Sequence, residues 1–79
     1  MSITLTLPRL GETIENGRVA AWKKNLDDEF RRGEILVEIE TDKTVVELPA
    51  LENGVLREIL AAAGAEVNVS EPLCRYDLL

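Results

Sequence analysis

Histidine is absent from the 79 residues, and cysteine occurs once, as Cys74. The first absence removes His-based acid–base chemistry, Ser-His and Cys-His nucleophiles and most transition-metal sites. The second removes any internal disulfide, a common staple of so short a chain. Aromatic residues are down to Trp22, Phe30 and Tyr76. Positive charge is in deficit: nine Lys and Arg against fifteen Asp and Glu leave a net charge of −6. Such a surface repels nucleic acid and anionic membrane, so both are poor partners. No uncharged run approaches the roughly 18 apolar residues of a membrane span. The residues after Met1 alternate instead of forming the charged start and apolar core of a secretory signal. No nucleophile–base pair, phosphate loop or metal cluster can be read, which makes an enzyme the weakest class. The length holds one domain, residues 1–79, expected to be soluble and in a reducing compartment.

What is present is aliphatic and punctuated. Hydrophobic residues make up 46% of the chain and fall in short runs, broken by turn residues every eight to twelve positions. That spacing predicts an all-β sandwich or barrel. Ile3, Leu5 and Leu7 alternate with Ser2, Thr4 and Thr6 up to Pro8, a period-2 strand. Further runs cover 19–24, 35–41, 44–48, 54–60 and 72–78, with turn signals at Gly33-Glu34, Asn53-Gly54 and Gly64. Leu56, Ile59, Leu60 and Ala63, ended by Gly64, also fit a short helix.

An internal repeat favours a strand there. At a shift of 37 residues, Gly17 falls on Gly54, Val19 on Leu56, Trp22 on Ile59, Phe30 on Val67, Glu34 on Glu71 and Leu36 on Leu73. The same shift sets Asp27 on Gly64 and Gly33 on Ser70. Leu7-Pro8-Arg9-Leu10 matches Leu48-Pro49-Ala50-Leu51 at a shift of 41, so the front half carries about four extra residues between Leu10 and Gly17. Duplicated halves of this kind pack as a quasi-twofold pair around one core. Under that symmetry the 41–44 turn corresponds to the two chain ends, so turn and termini are expected at opposite poles.

The segment 35–50 is the sharpest local signal. Pairing Thr41 with Thr44 sets Glu40 opposite Val45, Ile39 opposite Val46, Glu38 opposite Glu47 and Val37 opposite Leu48. Val37, Ile39, Val46 and Leu48 then share the core face, and the two glutamates face solvent. Asp42-Lys43 is not the Asn-Gly or Asp-Gly of a positive-φ hairpin turn. It fits a type I turn in which Asp42 bonds its own backbone. Lys43 is therefore expected at the tip of a stiff protrusion among Glu38, Glu40, Asp42 and Glu47. Taken alone, these residues also fit a solvated turn and a solubilising acidic face. They do not form a calcium loop.

Glu38-Ile39-Glu40-Thr41-Asp42-Lys43-Thr44, followed by Pro49-Ala50, resembles the lipoyl-attachment motif of lipoyl domains, which belong to the dihydrolipoamide acyltransferase components of 2-oxo acid dehydrogenase complexes. Leu7-Pro8-Arg9-Leu10-Gly11-Glu12-Thr13 resembles the family's first strand and exposed loop. Gly17-Arg18-Val19 with Trp22 and Lys24, Gly33-Glu34, Asn53-Gly54-Val55-Leu56, Glu58-Ile59-Leu60 and Gly64 resemble the remaining elements. Asp27 and Ser70 stand where the pattern has glycine, which is expected to strain those turns or change their type. Cys74-Arg75-Tyr76-Asp77 is an unusual closing strand.

The resemblance implies a flattened barrel, or sandwich, of two four-stranded antiparallel sheets with quasi-twofold symmetry. It implies a non-catalytic carrier with lipoic acid in amide linkage to Lys43. It further implies a swinging arm: reductive acylation by a thiamine-diphosphate 2-oxo acid decarboxylase, delivery of the acyl group to coenzyme A at the acyltransferase core, and reoxidation by dihydrolipoyl dehydrogenase. Loading would require a lipoate ligase or octanoyltransferase. Glu40, Thr41, Asp42 and Thr44 are the expected recognition flank. Gly11, Glu12 and Thr13 form the expected recognition loop, because they interrupt the repeat and because in the family the matching loop lies beside the lipoyl turn; a tolerated insertion is the alternative. Trp22 is expected in or beside the core, Cys74 as a small buried hydrophobe, and Lys23-Lys24 and Arg31-Arg32 as solvated charges. A biotin carrier has the same general fold but places methionine on both sides of its lysine, where this chain has Asp42 and Thr44. An unmodified interaction module of that fold is the alternative from another class. The start at Met1 without a transit peptide leans towards a bacterial cytoplasmic setting rather than a mitochondrial one.

Overall fold

In the computed structural model, which describes residues 2–11 and 14–79, the described chain is built from eight strands. They are β1 (Ser2–Thr6), β2 (Asn16–Trp22), β3 (Glu29–Phe30), β4 (Ile35–Glu40), β5 (Val45–Pro49), β6 (Gly54–Ile59), β7 (Glu66–Asn68) and β8 (Pro72–Leu78). Two four-stranded antiparallel sheets result, ordered β1-β8-β6-β3 and β5-β4-β2-β7. Exchanging β1 with β5, β2 with β6, β3 with β7 and β4 with β8 turns one order into the other. The barrel-sandwich and its quasi-twofold symmetry are thus as expected. The short strands β3 and β7, two and three residues long, were not visible as separate runs. Residues 54–59 form a strand, not a helix.

The symmetry extends to individual atoms. Gly64 N donates to Val19 O at 2.7 Å, and Asp27 N donates to Leu56 O at 2.6 Å. Arg31 N donates to Glu34 Oε1 and Asn68 N to Glu71 Oε1, both at 2.6 Å. Among the described residues the positive-φ positions are Asp27 (69°), Gly33 (93°), Gly64 (91°) and Ser70 (76°), two pairs at a shift of 37. Asp27 and Ser70 therefore adopt the left-handed backbone of their glycine mates and carry its steric cost.

Two expectations need correction. The amino-terminal match slips by two residues. Leu7 N donates to Glu71 O and Ala50 N donates to Glu34 O, so the mate of Leu7 is Ala50, at a shift of 43. The front loop is then six residues longer than its counterpart, not four. The Leu-Pro pairs misled because both have proline at a strand end, while burial pairs Leu7 with Ala50 at 1% and 3% exposure. Secondly, Gly54 is not in a turn: it is the buried first residue of β6.

One core lies between the sheets. Val19, Leu36, Val37 and Ile39 of one sheet meet Leu56, Leu73, Cys74 and Phe30 of the other, with Leu7 closing one end. Phe30 packs edge-on against Tyr76, ring centres 5.4 Å apart. Fully burying each such aliphatic side chain contributes about 1.5–3 kcal/mol. Trp22 lies beside this core and donates its indole N–H to Ala61 O at 2.8 Å. Ser2 pairs with Asp77, so the chain ends lie side by side; the repeat sets this pair on Val45 and Glu40, at the base of the 41–44 turn.

Candidate functional site

The β4–β5 register is the one the alternation predicts: Glu40 with Val45, Ile39 with Val46, Glu38 with Glu47, Val37 with Leu48. Val37 and Ile39 are fully buried and anchor the hairpin in the core. Glu38 and Glu47 face each other on the opposite side. Lys23 Nζ lies 3.4 Å from Glu38 Oε2 and offsets part of their repulsion.

Thr41 to Thr44 close the turn. Thr41 N donates to Thr44 O at 2.7 Å. Thr41, not Asp42, ties the turn with its side chain. Its hydroxyl donates to Thr44 O at 2.9 Å and accepts from the amides of Lys43 (3.3 Å) and Thr44 (3.1 Å). A hydroxyl one residue earlier can reach both amides at once, which leaves the Asp42 carboxylate exposed. Neither Asp42 nor Lys43 has positive φ, as a turn without glycine requires.

The chain has three lysines, at 23, 24 and 43. Lys23 pairs with Glu38, and Lys24 with Glu34 at 2.9 Å. The hydrogen bond from Lys24, then that from the Arg31 amide, holds the Glu34 carboxyl below its ordinary range. Among the described residues Lys43 has no carboxylate within 4.0 Å. Lys43 thus stands exposed at the tip, although acids crowd the hairpin below.

Asn16, Gly17 and Arg18 border an open cleft with Glu40, Thr41, Asp42 and Glu66. Arg18 lies 3.5 Å from Glu66 and pairs in register with Glu40. Reading the sequence missed this flank; the glycine repeated at 17 and 54 was its one signal. Gly11 forms an isolated bridge with Ile14, whose amide donates to Gly11 O at 3.3 Å. Glu12 and Thr13 lie outside the described residues. The loop's exit is held by Val69 N donating to Glu15 O, which brings Asn16 to the hairpin.

The profile of the biotin and lipoyl family described as "Biotin-requiring enzyme" matches residues 3–76. A solved lipoyl domain of the 2-oxoglutarate dehydrogenase complex from Azotobacter vinelandii superposes with a TM-score of 0.76, at 38% identity, covering 94% of each chain. This chain is a lipoyl domain of the biotin–lipoyl family. The lipoyl domain is 48% identical over 67 residues to the dihydrolipoyllysine-residue succinyltransferase component of the 2-oxoglutarate dehydrogenase complex of Haemophilus influenzae. That match takes in 85% of this chain and 16% of the relative's length. A single-chain, multi-domain long-chain acyl-CoA carboxylase contains the same fold, with a TM-score of 0.83 at 19% identity over 99% of this chain and 7% of its own. A lipoyl domain is a small carrier domain and not a catalytic one.

Proposed function

We propose that the domain carries lipoic acid in amide linkage to Lys43 Nζ, as the swinging arm of an acyltransferase component in a bacterial, cytoplasmic 2-oxo acid dehydrogenase complex. The observation that supports this most is a lysine with no ion-pair partner among the described residues, at the tip of a core-anchored hairpin and at the pole away from the chain ends. When bound, the group supplies a dithiolane for carriage of acyl groups and electrons among a thiamine-diphosphate 2-oxo acid decarboxylase, the acyltransferase core and dihydrolipoyl dehydrogenase. The chain's residues do the rest. Val37 and Ile39 fix the hairpin in the core. Thr41 holds the turn, so the amine meets a ligase in one defined backbone frame. Glu40, Thr41, Asp42 and Thr44 flank the lysine for recognition, and Gly11, Glu12 and Thr13 are the second recognition segment. A tether leaving from the opposite pole raises the effective concentration of the arm at each partner. Amide formation removes the ammonium, taking the net charge from −6 to −7.

The test is intact mass after co-expression with lipoate ligase and lipoic acid, and separately with biotin ligase. One lipoyl increment in the wild type and none in Lys43→Ala is expected, with faster native-gel migration towards the anode. A biotin increment would make it a biotin carrier. No increment with either ligase, both active on control domains, would leave an unmodified interaction module.

A further inference from the structure

Gly17 is buried in β2, where Arg18 pairs with Glu40 and Gly17 itself pairs with Val67 of β7. A Cβ built on Gly17 would lie 2.5 Å from Ile39 Cγ2, 3.2 Å from Glu40 O and 4.0 Å from Thr41 Cγ2. The three atoms belong to the last two residues of β4 and the first residue of the lysine turn. Among the described residues the hairpin beyond Glu40 pairs only with itself, so a push from β2 is relieved most readily by tilting the tip. The repeat provides an internal control. Gly54 is the mate of Gly17, and a Cβ there would lie 2.7 Å from Asp77 O, 2.8 Å from Phe30 Cζ and 2.9 Å from Tyr76 Cδ2. Both glycines therefore avoid a clash of the same kind in equivalent strands. What a side chain would press on differs: at Gly17 the residues leading into the Lys43 turn, at Gly54 the closing strand and the aromatic pair.

We infer that Gly17 is a positioning residue for Lys43: its missing side chain sets the height and tilt of the hairpin, and through them the place at which a modifying ligase finds the amine. This rests on Lys43 being the modified residue. Reactions between a held amine and an activated acyl group depend steeply on placement, and a displacement of about 1 Å can cost of the order of 100-fold.

The experiment compares wild type, Gly17→Ala, Gly54→Ala and Gly17→Ala/Ile39→Leu, all in a Ser70→Gly background that relieves one strained turn. Leucine keeps the volume of Ile39 but lacks its γ2 methyl. Lipoate-ligase kcat/KM is measured below the melting temperature of each chain, and amide NMR shifts of Asp42, Lys43 and Thr44 give a readout independent of modification. Gly17→Ala should lower kcat/KM at least tenfold and shift the turn amides. Gly54→Ala should stay within about twofold with unmoved turn amides, and Ile39→Leu should restore most of the loss. Wild-type modification of folded Gly17→Ala, an equal loss in Gly54→Ala, or a Gly17→Ala chain that does not fold in this background would overturn the inference. A wild type that takes no lipoyl group would refute the Lys43 reading instead, and the amide shifts would still decide whether Gly17 sets the turn.

Discussion

Lys23, Lys24 and Lys43 are one side chain in three settings, and the setting separates them. The first two lie within 4.0 Å of Glu38 and Glu34, while Lys43, at the turn, has no such partner among the described residues. Asp27 and Ser70 are another instructive pair. Both hold a left-handed backbone, but Asp27 also accepts a 2.9 Å bond from Arg57, which bridges on to Asp77. Those two carboxylates, Asp77 first, raise the pKa of the Arg57 guanidinium. Ser70 has no such partner among the described contacts. Ser70→Gly should therefore raise stability by about 0.5–1 kcal/mol through relief of backbone strain. Asp27→Gly should gain less, since it gives up the ion pair; urea midpoints of the two variants check this. Tyr76 adds a pH dependence. Burial, then the 3.0 Å hydrogen bond to Glu52, pushes its phenol up to about 12. The folded state thus favours the neutral phenol. Its contribution is whole below the ordinary phenol value of about 10 and is lost as pH rises through about 12. Cys74, pushed up to about 11 by burial alone, contributes in the same direction at slightly lower pH. Urea unfolding across this range should show a falling stability whose upper part flattens in Tyr76→Phe.

The hairpin whose turn carries the lysine is the most legible element, and the loop before β2 the least. Alternating residues set the β4–β5 register uniquely, because a slip by one residue would send Val37 and Ile39 into water. The turn's mechanism was misread, since both Thr41 and Asp42 carry side chains able to cap it and only geometry chooses the threonine. The strands β3 and β7 were too short to show a period. The repeat marks Gly17 and Gly54 as mates, but the close approach that requires glycine at 17 depends on Ile39 in another strand and is not legible along the chain. The six extra residues of the front loop interrupt the repeat, and of this loop Leu10 packs against the core. Replacing Glu12 and Thr13 by serine and glycine should leave stability and ligase loading unchanged, while lowering the kcat/KM of reductive acylation by a matched 2-oxo acid decarboxylase about tenfold or more. Equal acylation rates would make the loop a tolerated insertion.

At the scale of the whole molecule, the quasi-twofold separates two tasks. One pole presents a lysine turn, and the other, built from the same strand pairings, receives the chain ends. Because Ser2 pairs with Asp77 as Val45 pairs with Glu40, a short turn could join the termini. A permutant so joined and reopened between Leu51 and Glu52, both exposed, should keep the native fold by circular dichroism and be loaded on Lys43. Loss of the fold would show that the two halves are not interchangeable in closing the barrel. The central claim is that the folded domain, and not merely a lipoyl group, is the acyl carrier. The most direct measurement is reductive acylation of the loaded domain by a 2-oxo acid decarboxylase from a system with a closely similar lipoyl domain, beside free lipoamide at equal concentration. A kcat/KM at least 100-fold higher for the domain is the expected result. Equal values would contradict the account, because the hairpin, its flank and its loop would then contribute nothing to delivery.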